Sequence, residues 1–422
     1  MQSQSYLENA QDTSSFQVVI IGAGSAGIAV AASLLARSPY LEIAMIDPAT
    51  THYYQPGWTM VGGGIFTQAS TARPMQDVIP AGAKWIKEAV IDIQPEYNQI
   101  VLQNRDVIGY QVLIVCPGLR LNWEAIEGLP ETLGKNGVTS NYRFDLAPYT
   151  WQLVQNLKKG KAIFTQPPMP IKCAGAPQKA LYLSSDYWLK QGVLNDISVE
   201  FYNAGAVLFG VKDYVPALME YMQKYQAHLY FQHRLVRVDG ANKTAWFAYE
   251  QEGQQHVVET KFDMLHVVPP QQAPDFIRLS SLADATGWLD VDPETLQHRH
   301  YPNIFGVGDV LNTSNAKTAA AARKQAPIVA MNVLLFLCGR SDFYQYDGYG
   351  SCPLTVERGK IVLAEFGYGG KLLPTFPAWV LDGRQPTSLA WMLKAQCLPA
   401  IYWQGMLKGR EWLVKPKEKV AG

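Results

Sequence analysis

Cysteine is scarce in this chain, with 5 in 422 residues. Cys116, Cys173, Cys338, Cys352 and Cys397 are too few and too scattered for a secreted disulfide framework, and none forms a C-x-x-C pair. Excess charge of either sign is missing too: 36 basic residues balance 36 acidic ones, so no global field recruits nucleic acid or an acidic partner. No window of eighteen or more apolar residues occurs, which excludes a membrane-spanning helix. The first fifteen residues, Met1 to Ser15, lack the basic and apolar regions of a secretory signal and the arginines of a mitochondrial transit peptide; they read as a short disordered lead. The 7 histidines show no ligand spacing beyond His298-x-His300, which precedes a strand and reads as structural, so no metal is expected.

What is present begins with a nucleotide site. A chain of this length can form two or three domains with buried cores. Phe16 to Ile21 is an apolar run of the kind buried in a parallel sheet. The turn Gly22-Ala23-Gly24-Ser25-Ala26-Gly27 follows, then a helix predicted from about Ser25 to Arg37 and a second strand from Leu41 to Ile46 that ends at Asp47. Gly22 serves the tight turn, Gly24 lets the backbone approach a pyrophosphate, and Gly27 allows close helix–strand packing. The helix N-terminus offers amide N–H groups to the phosphates, and Asp47 is placed to accept from a ribose. Strand, turn, helix, strand and acid in this order form a specific signal.

A second motif favours FAD over NAD. Tyr301 to Asp309 is a short strand ending in Gly308-Asp309, and it resembles the second FAD motif of flavoproteins with two dinucleotide domains. Lys317-Thr318-Ala319-Ala320-Ala321-Ala322 then starts a helix with strong helix formers, and a helix N-terminus there can stabilise negative charge on a reduced flavin. Val112 to Gly118 resembles the strand closing the first FAD segment, and Cys116 is expected to point into the core at its end.

The second unit, from about Asp145 to Pro270, has βαβ order: a strand at Lys161–Thr165, a helix at Gln178–Lys190 and a strand at Ile197–Tyr202. It contains no G-x-G-x-x-G. Its first turn instead carries Pro167, Pro168 and Pro170, which remove N–H donors that a phosphate needs. A nicotinamide cofactor is therefore not expected there. The same turn carries Cys173, beside Lys172 and just before Pro177 at a helix start, a setting that favours thiolate. Cys352 lies in a second glycine-rich turn, Asp347-Gly348-Tyr349-Gly350-Ser351-Cys352-Pro353, where small residues let a side chain reach a cofactor. Together the two cysteines read as a redox pair drawn from distant segments.

From about Val18 to Trp403 the chain resembles the sulfide:quinone oxidoreductase family, in the branch that includes the mitochondrial enzyme. The most specific pieces are His52 to Thr59, Lys172 to Lys179, Leu208 to Lys212, Lys317 to Ala321 and Tyr346 to Leu354. The departures are modest: Cys116 stands where relatives often carry Ala or Thr, and Asp47 replaces a more frequent Glu. The resemblance implies an α/β fold of FAD-linked disulfide-reductase architecture with two Rossmann-like dinucleotide-binding domains, one three-layer β/β/α and one βαβ, plus an amphipathic C-terminal membrane-contact region. The expected division is 16–144 and 287–345 for the FAD-binding domain, 145–286 for the second domain with Cys173, and 346–422 for the C-terminal region with Cys352. FAD would be held by Gly22, Gly24, Gly27, Asp47, Gly308, Asp309 and Lys317.

The chemistry implied by the resemblance maps onto Cys173 and Cys352, which form a disulfide or a sulfur-bridged variant in relatives. Hydrosulfide attacks Cys352 and leaves it as a persulfide or polysulfide. Cys173 departs as a thiolate, contacts the flavin and passes on two electrons, which reach a membrane quinone of ubiquinone, plastoquinone or menaquinone type. The sulfur acceptor and any homo-oligomer stay open.

Residues 389–413, rich in Trp, Leu and Met and divided by Pro399, suit two short interfacial helices with Lys394, Lys408 and Arg410 at the headgroups. The alternative is that they pack on their own domain. Pro374, Phe376 and Trp379 are candidates for a quinone channel, and Glu365, Lys317, Tyr349 and His298 for proton handling. The expected setting is a peripheral, monotopic protein of a bacterial cytoplasmic membrane. The rival readings are a type II NADH:quinone reductase, which the converted turn and the two cysteines disfavour, a non-catalytic sulfide or redox sensor, and a sulfide-dependent flavocytochrome subunit.

Overall fold

The computed structural model describes residues 14–416. Residues 1–13 of the expected N-terminal lead lie outside the described residues, and Ser14 and Ser15 already belong to the first strand.

Strand β1 (Ser14–Ile21) runs into helix α1 (Ser25–Arg37), and β2 (Ile43–Ile46) follows. The second strand begins two residues later than the apolar pattern predicts. Helix α1 has no polar face to speak of: Ala26 to Leu34 are all buried, because small residues let it lie close between the sheet and a second helix. Strand β3 (Val107–Val115) pairs in parallel with β1. Its other edge is shared. Residues 107–109 pair antiparallel with Gln99–Leu102, while Leu113 to Val115 accept β6 (Ile304–Gly306) in parallel. That division brings Gly308, almost two hundred positions downstream, against the start of α1: a Cβ on Gly308 would lie 3.3 Å from the Cβ of Ala26.

The second unit is built on a five-stranded parallel sheet containing β4 (Gly160–Gln166) and β5 (Ile197–Asn203). Helix α2 (Ala176–Lys190) lies between them in sequence and covers one face. An antiparallel meander over residues 234–261 covers the other, where Leu235, Val238 and Phe247 pack against Ile163 and Tyr202. Helix α3 (Ala319–Leu337) packs on α1. The hairpin of β7 (Gly350–Glu357) and β8 (Lys360–Phe366) lies on α2.

The region beyond 346 is shared between the two main cores. Cys352, Leu354, Val356, Val362 and Ala364 join the core of the second unit, whereas Tyr402, Trp403, Met406 and Leu407 join the core around β1 and α1. Pro399 does not divide the C-terminal segment. Residues 388–408 run as consecutive helical turns, with π turns at Leu393–Cys397 and Ile401–Gly405. A proline ring clashes with the carbonyl four residues back, and the wider i→i+5 turns accommodate it without a break.

Candidate active site

Cys173 and Cys352 come together as the sequence implies. Their Sγ atoms are 3.7 Å apart although 179 residues separate them, and both are free thiols. Cys173 sits in the turn after β4 with φ of +51°, the left-handed region that a non-glycine side chain enters only under constraint. The constraint is visible. The Cys173 N–H donates to the Lys317 carbonyl at 2.8 Å, and the Tyr142 hydroxyl donates to the Lys172 and Cys173 carbonyls at 2.8 and 3.2 Å. The Lys172 N–H is held by Gln271 Oε1 at 2.7 Å. Cys352 is 2% exposed on β7, and the start of α2 bears directly on it. A Cβ on Gly175 would lie 2.5 Å from the Cys352 Sγ, so only glycine permits this approach.

The two sulfurs share their protons unequally. The Cys352 thiol donates toward Cys173, and this hydrogen bond, together with the Lys179 ammonium, holds the Cys173 pKa well below the ordinary thiol value against the cost of burial. The same bond, then burial, pushes Cys352 well above it. Lys179 Nζ lies 3.2 Å from the Cys173 Sγ. Burial opposes the charge on Lys179, but the two sulfurs outweigh it and raise its pKa. Lys394 is 2% exposed, its Nζ 3.1 Å from the Pro56 carbonyl. Burial, then the Lys179 charge, lowers it to about 7, opposed by the two cysteines. The expected headgroup cation is instead an interior cation beside the thiols. Lys408 and Arg410 are exposed.

The nucleotide turn has the shape that a pyrophosphate requires. Gly22 has φ of +98°, and a Cβ there would meet the Cys116 carbonyl at 2.6 Å; a Cβ on Gly27 would lie 1.9 Å from the Gly22 carbonyl. A Cβ on Gly24 would meet nothing within 4 Å, so that glycine is not demanded by the protein's own packing. No side chain caps the first turn of α1, which leaves its amides for a phosphate. Asp47 Oδ2 accepts from the Ala23 N–H at 2.7 Å, tying the acid to the turn. Gly308 has φ of +86° and donates to Gln325 Oε1 at 2.9 Å. Trp58 Nε1, Thr59 Oγ1, the Asn141 amide and Gln325 Nε2 are buried without a protein partner. Such groups are stable when a polar ligand satisfies them. These residues fit FAD.

Lys317 is 6% exposed and points inward. Its Nζ donates to the Asp309 and Leu311 carbonyls at 2.8 and 2.5 Å and lies 4.2 Å from the Trp288 ring centroid. Burial lowers its pKa to about 8, while Asp309 is raised by its own burial against the charges of Lys172 and Lys317. Cys116 donates to the Ile21 and Gly22 carbonyls and fills the strand end. Glu365 accepts from the Tyr349 hydroxyl at 2.6 Å and from Thr375 Oγ1 at 2.5 Å. His298 accepts at Nδ1 from the His300 and Tyr301 N–H groups and donates from Nε2 to Leu282, so it organises a turn. Phe376 packs in a small cluster with Ile361, Leu363 and Leu381, whereas Trp379 is 87% exposed. Sequence reasoning missed roles for Lys179, Lys394 and Tyr142. Lys179 had left a signal, since a cation in the first turn of a helix opposes the dipole and needs another reason to be there.

Residues 16–157 match the pyridine nucleotide-disulphide oxidoreductase family. The mitochondrial sulfide:quinone oxidoreductase of Dictyostelium discoideum is 42% identical over 402 residues, 94% of this chain and 87% of that protein. The mitochondrial enzyme of Mus musculus is 38% identical over 395 residues, 93% of this chain and 87% of that protein. The sulfide:quinone oxidoreductase structure from Aquifex aeolicus superposes with a TM-score of 0.75 at 20% identity, covering 96% of this chain and 93% of that one; this likeness speaks for the fold. On 42% and 38% identity to the Dictyostelium and mouse proteins over more than nine-tenths of its length, this chain belongs to the sulfide:quinone oxidoreductase family of FAD-dependent oxidoreductases.

Proposed function

We propose that the chain oxidises sulfide at the Cys173–Cys352 pair and passes the electrons through FAD to a membrane quinone. The observation that carries this reading is the 3.7 Å approach of the two sulfurs with the Lys179 ammonium 3.2 Å from Cys173. An S–S bond of about 2.05 Å needs a closure of roughly 1.7 Å, and an inserted sulfur with two such bonds bridges most of the gap. In the oxidised pair, hydrosulfide attacks the Cys352 sulfur. A Cys352 persulfide forms, the bond to Cys173 breaks, and Cys173 leaves with the bonding electrons as a thiolate that Lys179 neutralises. A low thiol pKa makes Cys173 the better leaving group. An acceptor thiol or anion then takes the outer sulfur from Cys352, and re-forming the Cys173–Cys352 bond releases two electrons. Where the sulfur is retained, a bond between it and Cys173 forms with release of the two electrons instead, and a second hydrosulfide attack that again expels Cys173 lengthens the chain as polysulfide. Bound FAD supplies the two-electron acceptor for that step and the donor for quinone reduction.

The NADH:quinone reductase reading gains no support. The helix N-terminus that would receive a dinucleotide phosphate in the second unit is faced at Gly175 by the Cys352 sulfur. For the membrane, Trp379, Leu389, Met392, Trp412 and Leu413 are 42–87% exposed, and Arg410 lies over the Trp412 ring, which suits peripheral contact with a headgroup region. Among the described residues no helix is long and apolar enough to cross a membrane.

Anaerobic titration of the holoenzyme with sulfide tests the proposal. The oxidised flavin band bleaches in the wild type and persists in Cys173→Ser and Cys352→Ser. Bleaching by NADH but not by sulfide would overturn it.

A further inference from the structure

The C-terminal segment reaches the pyrophosphate turn through one side chain. Tyr402 is 3% exposed, and its hydroxyl lies 2.6 Å from Ser25 Oγ and 2.6 Å from His52 Nε2. The His52 Nδ1 lies 3.3 Å from the Ala23 carbonyl. That carbonyl can only accept, so Nδ1 carries the ring proton. His52 is 3% exposed, and burial lowers its pKa to about 4, partly offset by the Ala23 carbonyl and reinforced by Arg73; the ring is neutral near pH 7. Neutral imidazole with its proton on Nδ1 accepts at Nε2. The Tyr402 hydroxyl therefore donates to His52, and the Ser25 hydroxyl donates to Tyr402. The chain of hydrogen bonds starts at Ser25 and ends at Ala23, the two neighbours of Gly24.

We propose that Tyr402 and His52 are positioning residues for FAD, closing a bracket across the Ala23-Gly24-Ser25 turn that holds the amides following Ala23 in the phosphate-receiving arrangement. Gly24 has no side chain to fix the turn and nothing packed within 4 Å of where a Cβ would stand. A glycine turn pays the largest conformational entropy on being ordered, so fixing it from both flanks favours binding through preorganisation. The bracket also turns the Ser25 hydroxyl toward Tyr402, leaving the helix N–H groups as the donors at the turn. Ring packing secures Tyr402 independently of its hydroxyl: its centroid is 4.7 Å from that of Tyr54 and 5.0 Å from that of Trp403.

The test is FAD retention by the full-length holoenzyme, read as flavin fluorescence released on serial dilution. Tyr402→Phe keeps the packed ring and removes one hydroxyl. It is expected to weaken FAD retention about threefold to tenfold, the worth of one ordinary neutral hydrogen bond. Ser25→Ala breaks the same bracket, so the double variant retains FAD about as well as the weaker single variant; a merely structural role for Tyr402 would make the two losses multiply. Glu411→Gln supplies the control for a loosened tail. Glu411 holds the segment to α1 through two bonds to Arg37 at 2.6 and 2.7 Å without touching the turn, and FAD retention should survive its loss. Unchanged retention in Tyr402→Phe, multiplicative losses in the double variant, or an equal loss in Glu411→Gln would each overturn the proposal.

Discussion

Gly175→Ala places one methyl group between the helix and the reacting sulfur. The backbone at 175 has φ of −83° and ψ of −7°, a conformation that alanine adopts freely, but Gly175 is the N-cap of α2, a position that glycine fills better than alanine. Local propensity therefore does not favour the variant. The contacts oppose it: the new Cβ would stand 2.5 Å from both the Cys352 Sγ and the Leu354 Cδ2, against ordinary contact beginning near 3.4 Å. Cys352 and Leu354 must retreat by about 0.9 Å, yet they are 2% and 0% exposed, so the shift goes into a packed core. Overpacking of this kind costs about 1–3 kcal/mol, and no gain in propensity offsets it. At about 2.1 cal/mol/K per residue, the 422-residue chain should melt only about 1–3 °C lower.

The chemistry should suffer far more, because Cys352 is pushed away from the helix start that aims it at Cys173. A misplacement near 1 Å can cost about 10²-fold in rate. The assay is stopped-flow reduction of the flavin by sulfide beside a thermal melt of the same preparation. A nearly unchanged melt with a rate lowered about a hundredfold is the expected result. A wild-type rate would show that the approach of α2 to Cys352 does not matter to catalysis.

Four further outcomes follow from the same geometry. Lys179→Met removes the cation 3.2 Å from Cys173, so the pH profile of Cys173 alkylation should move to higher pH, which mass spectrometry of the labelled peptide would read. Lys394→Met bears on stability: the folded lysine titrates near 7 because of burial and an unfolded one near 10.4, so between these values the unfolded chain binds more protons and wild-type stability rises with pH. The variant should lose that rise, and matched urea midpoints at about pH 7 and 9 check it. Gly24→Ala should leave the flavin-free melt unchanged, since its Cβ meets nothing within 4 Å, yet weaken FAD retention at least tenfold; normal retention would displace the phosphate from this turn. Replacing Trp379 and Trp412 by Ser, at 87% and 48% exposure, should cut co-sedimentation with anionic vesicles about tenfold without altering the melt.

The parts of this molecule that were legible in the sequence are those whose signal is local. The turn at Gly22, Gly24 and Gly27 announces itself because its spacing can be read in order along the chain, with Gly22 and Gly27 answering demands of the backbone and Gly24 leaving room beside it. Cys173 and Cys352 each sit in an unusual turn and so read as a redox pair, but that they bond to each other comes only from the resemblance, since spacing across 179 residues carries no distance. What stayed hidden depends on rotation. With the 3.6-residue period, residues 389–413 divide at Pro399 into two amphipathic pieces, and Lys394 falls among the surface cations. The two π turns add a residue per turn and rotate every later side chain relative to that period. Tyr402, beyond the first π turn, reaches Ser25; Lys394, at the start of that turn, is buried within electrostatic reach of the thiols, while Leu389 and Met392 before it remain outside. One segment thus presents a surface outward and completes two sites inward, which a helical-wheel reading cannot yield because it assigns each residue to a single regular face. The irregular turns accommodate Pro399, and they are what carries the segment from its exposed face to the flavin turn.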